Sequence, residues 1–181
     1  HNLNFGEPAY DASIGNNFEF ETDILRYNYT SLTTPSSVFD YNMATKEKTL
    51  MKETEVPGGF DKSQYITERL WATARDGVKI PISIVYKKGF EKNGKGPLLQ
   101  YAYGSYGSST DPYFSVARLS LLDRGFAYAI AHIRGGQEMG RQWYEDGKMA
   151  KKMNTFTDFI DCSKYLIDEK FTSKAHLYAN G

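Results

Sequence analysis

Three glycine-bearing segments hold the residue types that could do chemistry. The first runs Tyr101, Ala102, Tyr103, Gly104, Ser105, Tyr106, Gly107, directly after a short apolar run. Glycine lets the backbone turn sharply and approach a ligand closely. Tyrosine hydroxyls at such a place can donate to a molecule held above the C-terminal end of a strand, where open α/β sheets bind ligands. An aromatic-capped structural turn uses the same residues. The second segment is Ala131 to Tyr144, in which Arg134, Glu138 and Arg141 mix charges within a glycine turn. A binding loop and a salt-bridged structural loop both fit that pattern. The third is Ala179, Asn180 and Gly181.

Other reactive types are sparse. His132 and His176 fall at strand ends and read as hydrogen-bonded structural histidines, and His1 is terminal. Cys162 lies on a helix without the electropositive surroundings of a reactive thiol. No His, Cys or carboxylate cluster has metal-ligand spacing, so no metal or other cofactor is expected.

Elements must position these segments. Pro97 to Tyr101 reads as a short buried strand. Asp111 as N-cap and Pro112 at the first helical position predict a helix, with Phe114, Ala117, Leu121 and Leu122 at helical spacing and Gly125 closing it. Phe126 to Ile133 is apolar apart from His132, as a strand buried on both faces is. Thr155 to Asp168 predicts a second helix, with Phe156, Phe159, Ile160, Leu166 and Ile167 on its buried face. Thr155 and Asp158 resemble a capping box. His176 to Ala179 reads as a final strand. Strand, helix, strand, helix, strand implies a parallel sheet with right-handed crossovers. Such a sheet is not expected to stop on a buried last strand without its covering helix. An incomplete α/β domain, cut at Gly181, is therefore expected.

Upstream the pattern differs. Phe18 to Thr22, Ile24 to Thr30, Ser37 to Tyr41 and Thr49 to Glu53 read as short strands of a meander, about one blade of a propeller. Val56 to Phe60, with Pro57, Gly58 and Gly59, is the best boundary. Tyr65 to Thr73 and Lys79 to Tyr86 flank Asp76 and Gly77 as a hairpin. The 14 Tyr and 11 Phe of this 181-residue chain agree with substantial β structure.

Lys plus Arg and Asp plus Glu stand at 22 each. No global field draws the chain to nucleic acid or to an anionic membrane. No run approaches the roughly 18 apolar residues of a membrane helix. The one cysteine excludes an internal disulfide. The first residue is His1, so an internal position of a longer chain or a tag scar is expected, and any leader would lie upstream. The compartment stays open, with the cytoplasm favoured over the periplasm.

Long motifs in consistent order carry a resemblance. Leu119 to Phe126, His132 to Gly136, Trp143 to Lys148 and Lys152 to Phe159 closely resemble the prolyl oligopeptidase family of serine peptidases, in particular its oligopeptidase B branch. The resemblance extends upstream through Ser31 to Ser37. It implies an α/β fold, the first half of an α/β-hydrolase sheet preceded by the last strands of a β-propeller. Residues 1–56 would be the end of the propeller and 57–181 the N-terminal half of the peptidase domain. The family's nucleophile turn has the form Gly-x-Ser-x-Gly after a strand. Gly181 resembles its first glycine, which puts the serine two residues on and the triad Asp and His later still.

The resemblance also implies roles. Tyr103 matches the family's oxyanion donor, with Tyr101 the alternative register, and Tyr106 an aromatic that packs on substrate. Asp111 matches one member of an acidic pair associated with a second basic substrate residue, but Tyr113 stands at the other position. The helix N-cap is the competing role for Asp111. Short peptides cut after Arg or Lys are the implied substrates. A prolyl-specific peptidase or esterase on the same fold, and a non-catalytic peptide-binding relative, are the alternatives. The polypeptide itself is expected to be inactive and to self-associate through an exposed sheet edge.

Overall fold

Alternation in Ile24–Ser31 puts Tyr27, Tyr29 and Ser31 on a buried face, and this strand organises the first of two sheets. The computed structural model describes residues 3–181. Strands β1 (Tyr10–Ile14), β2 (Ile24–Ser31), β3 (Ser37–Asn42) and β4 (Lys48–Glu53) form an antiparallel meander in that order. Tyr27 stacks on Phe39 at 5.4 Å, and Arg26 makes a bidentate pair with Asp40, its register partner across the ladder.

The strand expected over Phe18 to Thr22 does not form. Both Phe18 and Phe20 are exposed, and β2 pairs instead with Tyr10–Ile14. Asn17 explains the early end of the ladder. Its side-chain amide accepts from the Arg26 N–H and donates to the Arg26 carbonyl, taking the backbone groups the ladder would use.

The second sheet has the order β5-β6-β8-β7-β9. It comprises β5 (Tyr65–Thr73), β6 (Lys79–Lys87), β7 (Leu98–Tyr101), β8 (Ala127–Ala131) and β9 (Leu177–Asn180). The β5–β6 hairpin turns at Asp76 and Gly77, the glycine at φ +87°. Strand β7 runs parallel to both β8 and β9. Helix α1 (Val116–Asp123) connects β7 to β8, while α2 (Arg141–Glu145) and α3 (Met153–Asp168) lie between β8 and β9.

Period-two alternation along β6 separates two cores. Ile80, Ile82 and Ile84 pack with Ala127, Ala129 and the α3 residues Cys162 and Leu166. On the other side Val85 and Ile130 pack with Leu119 and Leu122 of α1 and with Leu32 from the first sheet. Leu32 therefore ties the two sheets. Glu7 adds a polar tie: it accepts from the hydroxyls of Tyr29, Ser31, Thr33 and Thr34 and pairs with Lys62 at 3.0 Å. Burial pushes the Glu7 carboxyl up, but the bonds from Tyr29, Ser31, Thr34 and Lys62 outweigh it and hold the carboxyl below its ordinary value.

Three local expectations fail for tertiary reasons. Helix α1 begins at Val116 with Ser115 as its cap, not at Asp111 and Pro112. The residues before it are drawn elsewhere: the Phe114 N–H donates to Thr30 Oγ1, and Arg118 reaches the Tyr113 carbonyl. Thr155 and Asp158 make no capping box, because both side chains turn to Arg134. Phe156 and Ile160, expected on the buried face of α3, are about half exposed, and β9 lies exposed at the edge of the sheet. The buried stripe of α3 is Thr155, Asp158, Asp161, Cys162 and Leu166.

Candidate active site

The chain leaves β7 towards β8 on one side, and leaves β8 for β9 on the other side of β7. Connections that diverge in this way open a crevice at the C-terminal ends of the strands, the place where α/β sheets bind ligands. Tyr103 follows β7 and Gly181 follows β9, so both belong to that crevice. They line one cleft of about 370 Å³ with Ala102, Ile133, Thr155 and Phe156. The strands bring the two turns together: the Ala102 N–H donates to the Asn180 carbonyl at 3.3 Å. Tyr103 is 47 % exposed, and its hydroxyl makes no hydrogen bond among the described residues.

Packing leaves the Tyr103 turn little freedom. Gly104 sits at φ +65°, and a Cβ there would overlap Ile133 and Thr155. Gly135, at φ +103°, lies so close that a Cβ would strike the Gly104 carbonyl. The Gly107 N–H donates to the Gly135 carbonyl at 2.9 Å. Lys152 Nζ donates to the Gly104 carbonyl at 2.7 Å and to Ser105 Oγ at 2.6 Å. Tyr106 projects from this turn, 87 % exposed and at φ +55°. That left-handed conformation is uncommon for a bulky residue, and it points the ring away from the core.

Arg134 of the second segment is structural. Arg134 is 5 % exposed. Its guanidinium donates to Asp158 at 2.6 and 2.9 Å, and its backbone N–H to the same carboxylate at 3.0 Å. Asp76 from the β5–β6 turn lies 2.7 Å from the same guanidinium. The Asp158 hydrogen bond, ahead of the Asp76 bond, holds Arg134 well above the ordinary arginine range. Arg141 pairs with Glu145 on its own helix. The Arg134 guanidinium is therefore not free to take a ligand, whereas the Arg141 side chain is 68 % exposed. One turn along α3, Asp161 accepts from Arg75 in the same three-bond manner.

Asp111 does not share the Tyr103 cleft. It is exposed at a polar cavity of about 300 Å³ with Tyr10, Arg69, His132 and Glu138. Partial desolvation by the cavity walls first, and then the charges of Asp11 and Glu138, push its carboxyl up. Tyr113 is exposed and lies under the Arg118 guanidinium, 5.2 Å from the ring centre.

A Ser–His–carboxylate row lies beside this cavity, and sequence reading did not single it out. Ser83 Oγ is 2.7 Å from His132 Nε2, and His132 Nδ1 is 3.7 Å from Glu138. Ser83 is fully buried, and Arg69 donates to its hydroxyl at 2.6 Å. A nucleophile needs room for a carbonyl, and this fully buried serine has none. Burial depresses the His132 pKa, so the neutral ring bridges β6 to the end of β8. His176, by contrast, is exposed and its ring makes no hydrogen bond among the described residues, against the expectation of a hydrogen-bonded structural histidine. Burial also pushes the Cys162 thiol far up, which leaves it inert. Asp158, Asp161 and Lys152 were likewise missed. No hydropathy signal marks the two carboxylates, because they lie off the apolar stripe that spacing gives α3.

Known proteins share this arrangement. Dipeptidyl aminopeptidase BI of Pseudoxanthomonas mexicana is 55 % identical over 176 residues, 97 % of this chain and 24 % of the relative. Protease 2 of Moraxella lacunata is 46 % identical over 179 residues, 99 % of this chain and 26 % of the relative. Oligopeptidase B from Leishmania major superposes with a TM-score of 0.86 at 43 % identity, over 97 % of this chain and 25 % of that one. The chain thus spans about a quarter of the length of these relatives. The larger sheet is the first half of an α/β-hydrolase sheet, and the smaller one is the closing part of a β-propeller. Residues 2–54 match the N-terminal β-propeller domain of prolyl oligopeptidase, residues 112–181 match the prolyl oligopeptidase family, and the chain belongs to that family.

Proposed function

We propose that the full protein containing this chain is a serine oligopeptidase that hydrolyses short peptides after Arg or Lys through an acyl-enzyme. A serine made nucleophilic by histidine attacks the scissile carbonyl, and water resolves the acyl-enzyme. The Tyr103 hydroxyl donates to the negative oxygen of the transition state, Tyr106 packs on the substrate, and Gly181 opens the nucleophile turn. One observation carries this reading: Tyr103 and Gly181 line a single cleft at the point where the sheet's connections diverge. Asp111, in its own polar cavity, is assigned a peripheral contact to a basic substrate group. The 181 residues alone are inactive on this reading, because the Ser–His–carboxylate row among the described residues is sealed.

The test is Tyr103→Phe in the full-length protein, assayed on chromogenic peptides with Arg, Lys or Pro before the scissile bond. Losing one oxyanion donor lowers kcat by roughly 100- to 1000-fold. A kcat within threefold of wild type sinks the role of Tyr103. Preference for Pro over Arg and Lys sinks the basic specificity while leaving the peptidase reading intact.

A further inference from the structure

Lys152 stands where helix energetics argue against it. It occupies the cap position of α3, immediately before Met153. The helix macrodipole is positive there and disfavours a cation. Its neighbours are neutralised locally: Lys148 pairs with Glu145 and Lys151 with Asp146. Lys152 forms no ion pair among the described residues, although it is only partly exposed and burial depresses its pKa. Its ammonium is instead spent on one backbone carbonyl and one hydroxyl, at Gly104 and Ser105. Those are the two residues that follow Tyr103.

Little else fixes that turn from the α3 side. Thr155 Oγ1 reaches the Gly104 carbonyl only at 3.5 Å, and its shorter bond, 2.7 Å, goes to Arg134. The Tyr103 hydroxyl has no hydrogen-bond partner among the described residues to hold it in place. Its position is inherited from the backbone that Lys152 grips.

We infer that Lys152 is a positioning residue for Tyr103, clamping the Gly104 carbonyl and the Ser105 hydroxyl so that the tyrosine hydroxyl meets the developing negative oxygen. This inference rests on the peptidase reading above. An oxyanion donor must stand about 2.7–3.1 Å from the oxygen it stabilises. A misplacement of about 1 Å costs on the order of 100-fold in rate. Ground-state binding of the peptide does not use this bond, so the effect falls on kcat and not on KM.

The experiment compares wild type, Tyr103→Phe, Lys152→Met, Lys152→Arg and the double variant Tyr103→Phe/Lys152→Met. All are made in the full-length protein and assayed on an Arg-containing chromogenic peptide. K152M is expected to lower kcat roughly 10- to 100-fold with KM within about twofold. K152R keeps the donors and recovers most of the loss. In the double variant the K152M effect should shrink to less than about threefold, because there is no hydroxyl left to misplace. A kcat within threefold of wild type for K152M overturns the inference, and so does an undiminished effect in the Y103F background. Where K152M does not fold, Ser105→Ala removes one of the two acceptors. Its expected three- to tenfold loss of kcat must vanish in the Y103F background, and any other result overturns the inference. If Y103F itself has wild-type kcat, the assignment of Tyr103 falls first, and that outcome is separate from a failure of Lys152.

Discussion

Replacing Asp158 by Asn tests whether α3 is held to the sheet by a buried ion pair. Asp158 is fully buried and Arg134 is 5 % exposed. The substitution keeps side-chain volume but removes the charge and turns an amide N–H₂ towards guanidinium donors. Breaking a buried pair costs about 3–5 kcal/mol, because the remaining charge is left uncompensated. Arg134 retains Asp76, whose side chain is 41 % exposed, so the low end, about 3 kcal/mol, is expected. Asp161→Asn is the internal control. Its carboxylate also accepts three bonds from one arginine, but the Arg75 side chain is 51 % exposed. Water can re-solvate that guanidinium, and the loss should be about 1 kcal/mol. Urea unfolding of the chain, followed by Trp143 fluorescence with Trp71→Phe as background, measures both. Trp143 is a local reporter, buried and donating to the His132 carbonyl at 3.0 Å. In thermal melts the Asp158 variant should fall by roughly 6–12 °C for a chain of this size. If D158N and D161N cost the same within about 1 kcal/mol, burial is not what sets the worth of these pairs, and the reasoning fails.

Acid should expose the Asp161 pair selectively. The Arg75 hydrogen bond holds the Asp161 carboxyl at about 2, below its ordinary value of 3.8. A carboxyl depressed in the folded state stabilises fully above its unfolded pKa and loses that contribution as pH falls through the folded one. The stability difference between wild type and D161N should therefore be constant above about pH 4 and shrink towards pH 2; a difference independent of pH counts against the pair. The outer edge of β9, where Tyr178 is half exposed, offers unpaired backbone groups to another strand. The 181-residue chain should sediment as a concentration-dependent oligomer and Ala179→Lys should reduce this, whereas a clean monomer at all concentrations contradicts it.

Elements whose signal is repeated along the chain were legible in the sequence. The β5–β6 hairpin needed only two alternating runs around Asp76 and Gly77, and β8 only an unbroken apolar run. Helix α3 was legible in extent and misread in face. Phe156 and Ile160 fit an apolar stripe by spacing, yet the buried side carries Asp158 and Asp161. A hydropathy pattern cannot report that a carboxylate is welcome in a core, because the arginines that make it so lie 24 and 86 residues away. Single-residue cap signals failed for a related reason. Asp111 and Pro112 have the chemistry to start a helix, but Thr30 of the other sheet takes the Phe114 N–H and delays it to Val116. A local bond of about 1 kcal/mol loses to a tertiary bond of similar strength that also brings two sheets together.

The same contrast separates the two places where this chain carries the residue types of an active site. Ser83, His132 and Glu138 have the residue types of a triad and a hydrogen bond in the right place. The serine is fully buried on β6 with Arg69 on its hydroxyl, and no carbonyl can reach it. Tyr103 and Gly181 have no reactive group between them. Yet they lie outside the carboxyl ends of parallel strands, at the divergence of the connections, on glycine turns that a single added methyl would disrupt. Catalysis requires donors fixed before charge develops, in a site that substrate can enter. By that criterion the row of reactive residues is scaffold. On the proposed reading, the tyrosine turn, bolted by Lys152 to the start of α3 and by Gly135 to the end of β8, is the part of this chain that serves the chemistry.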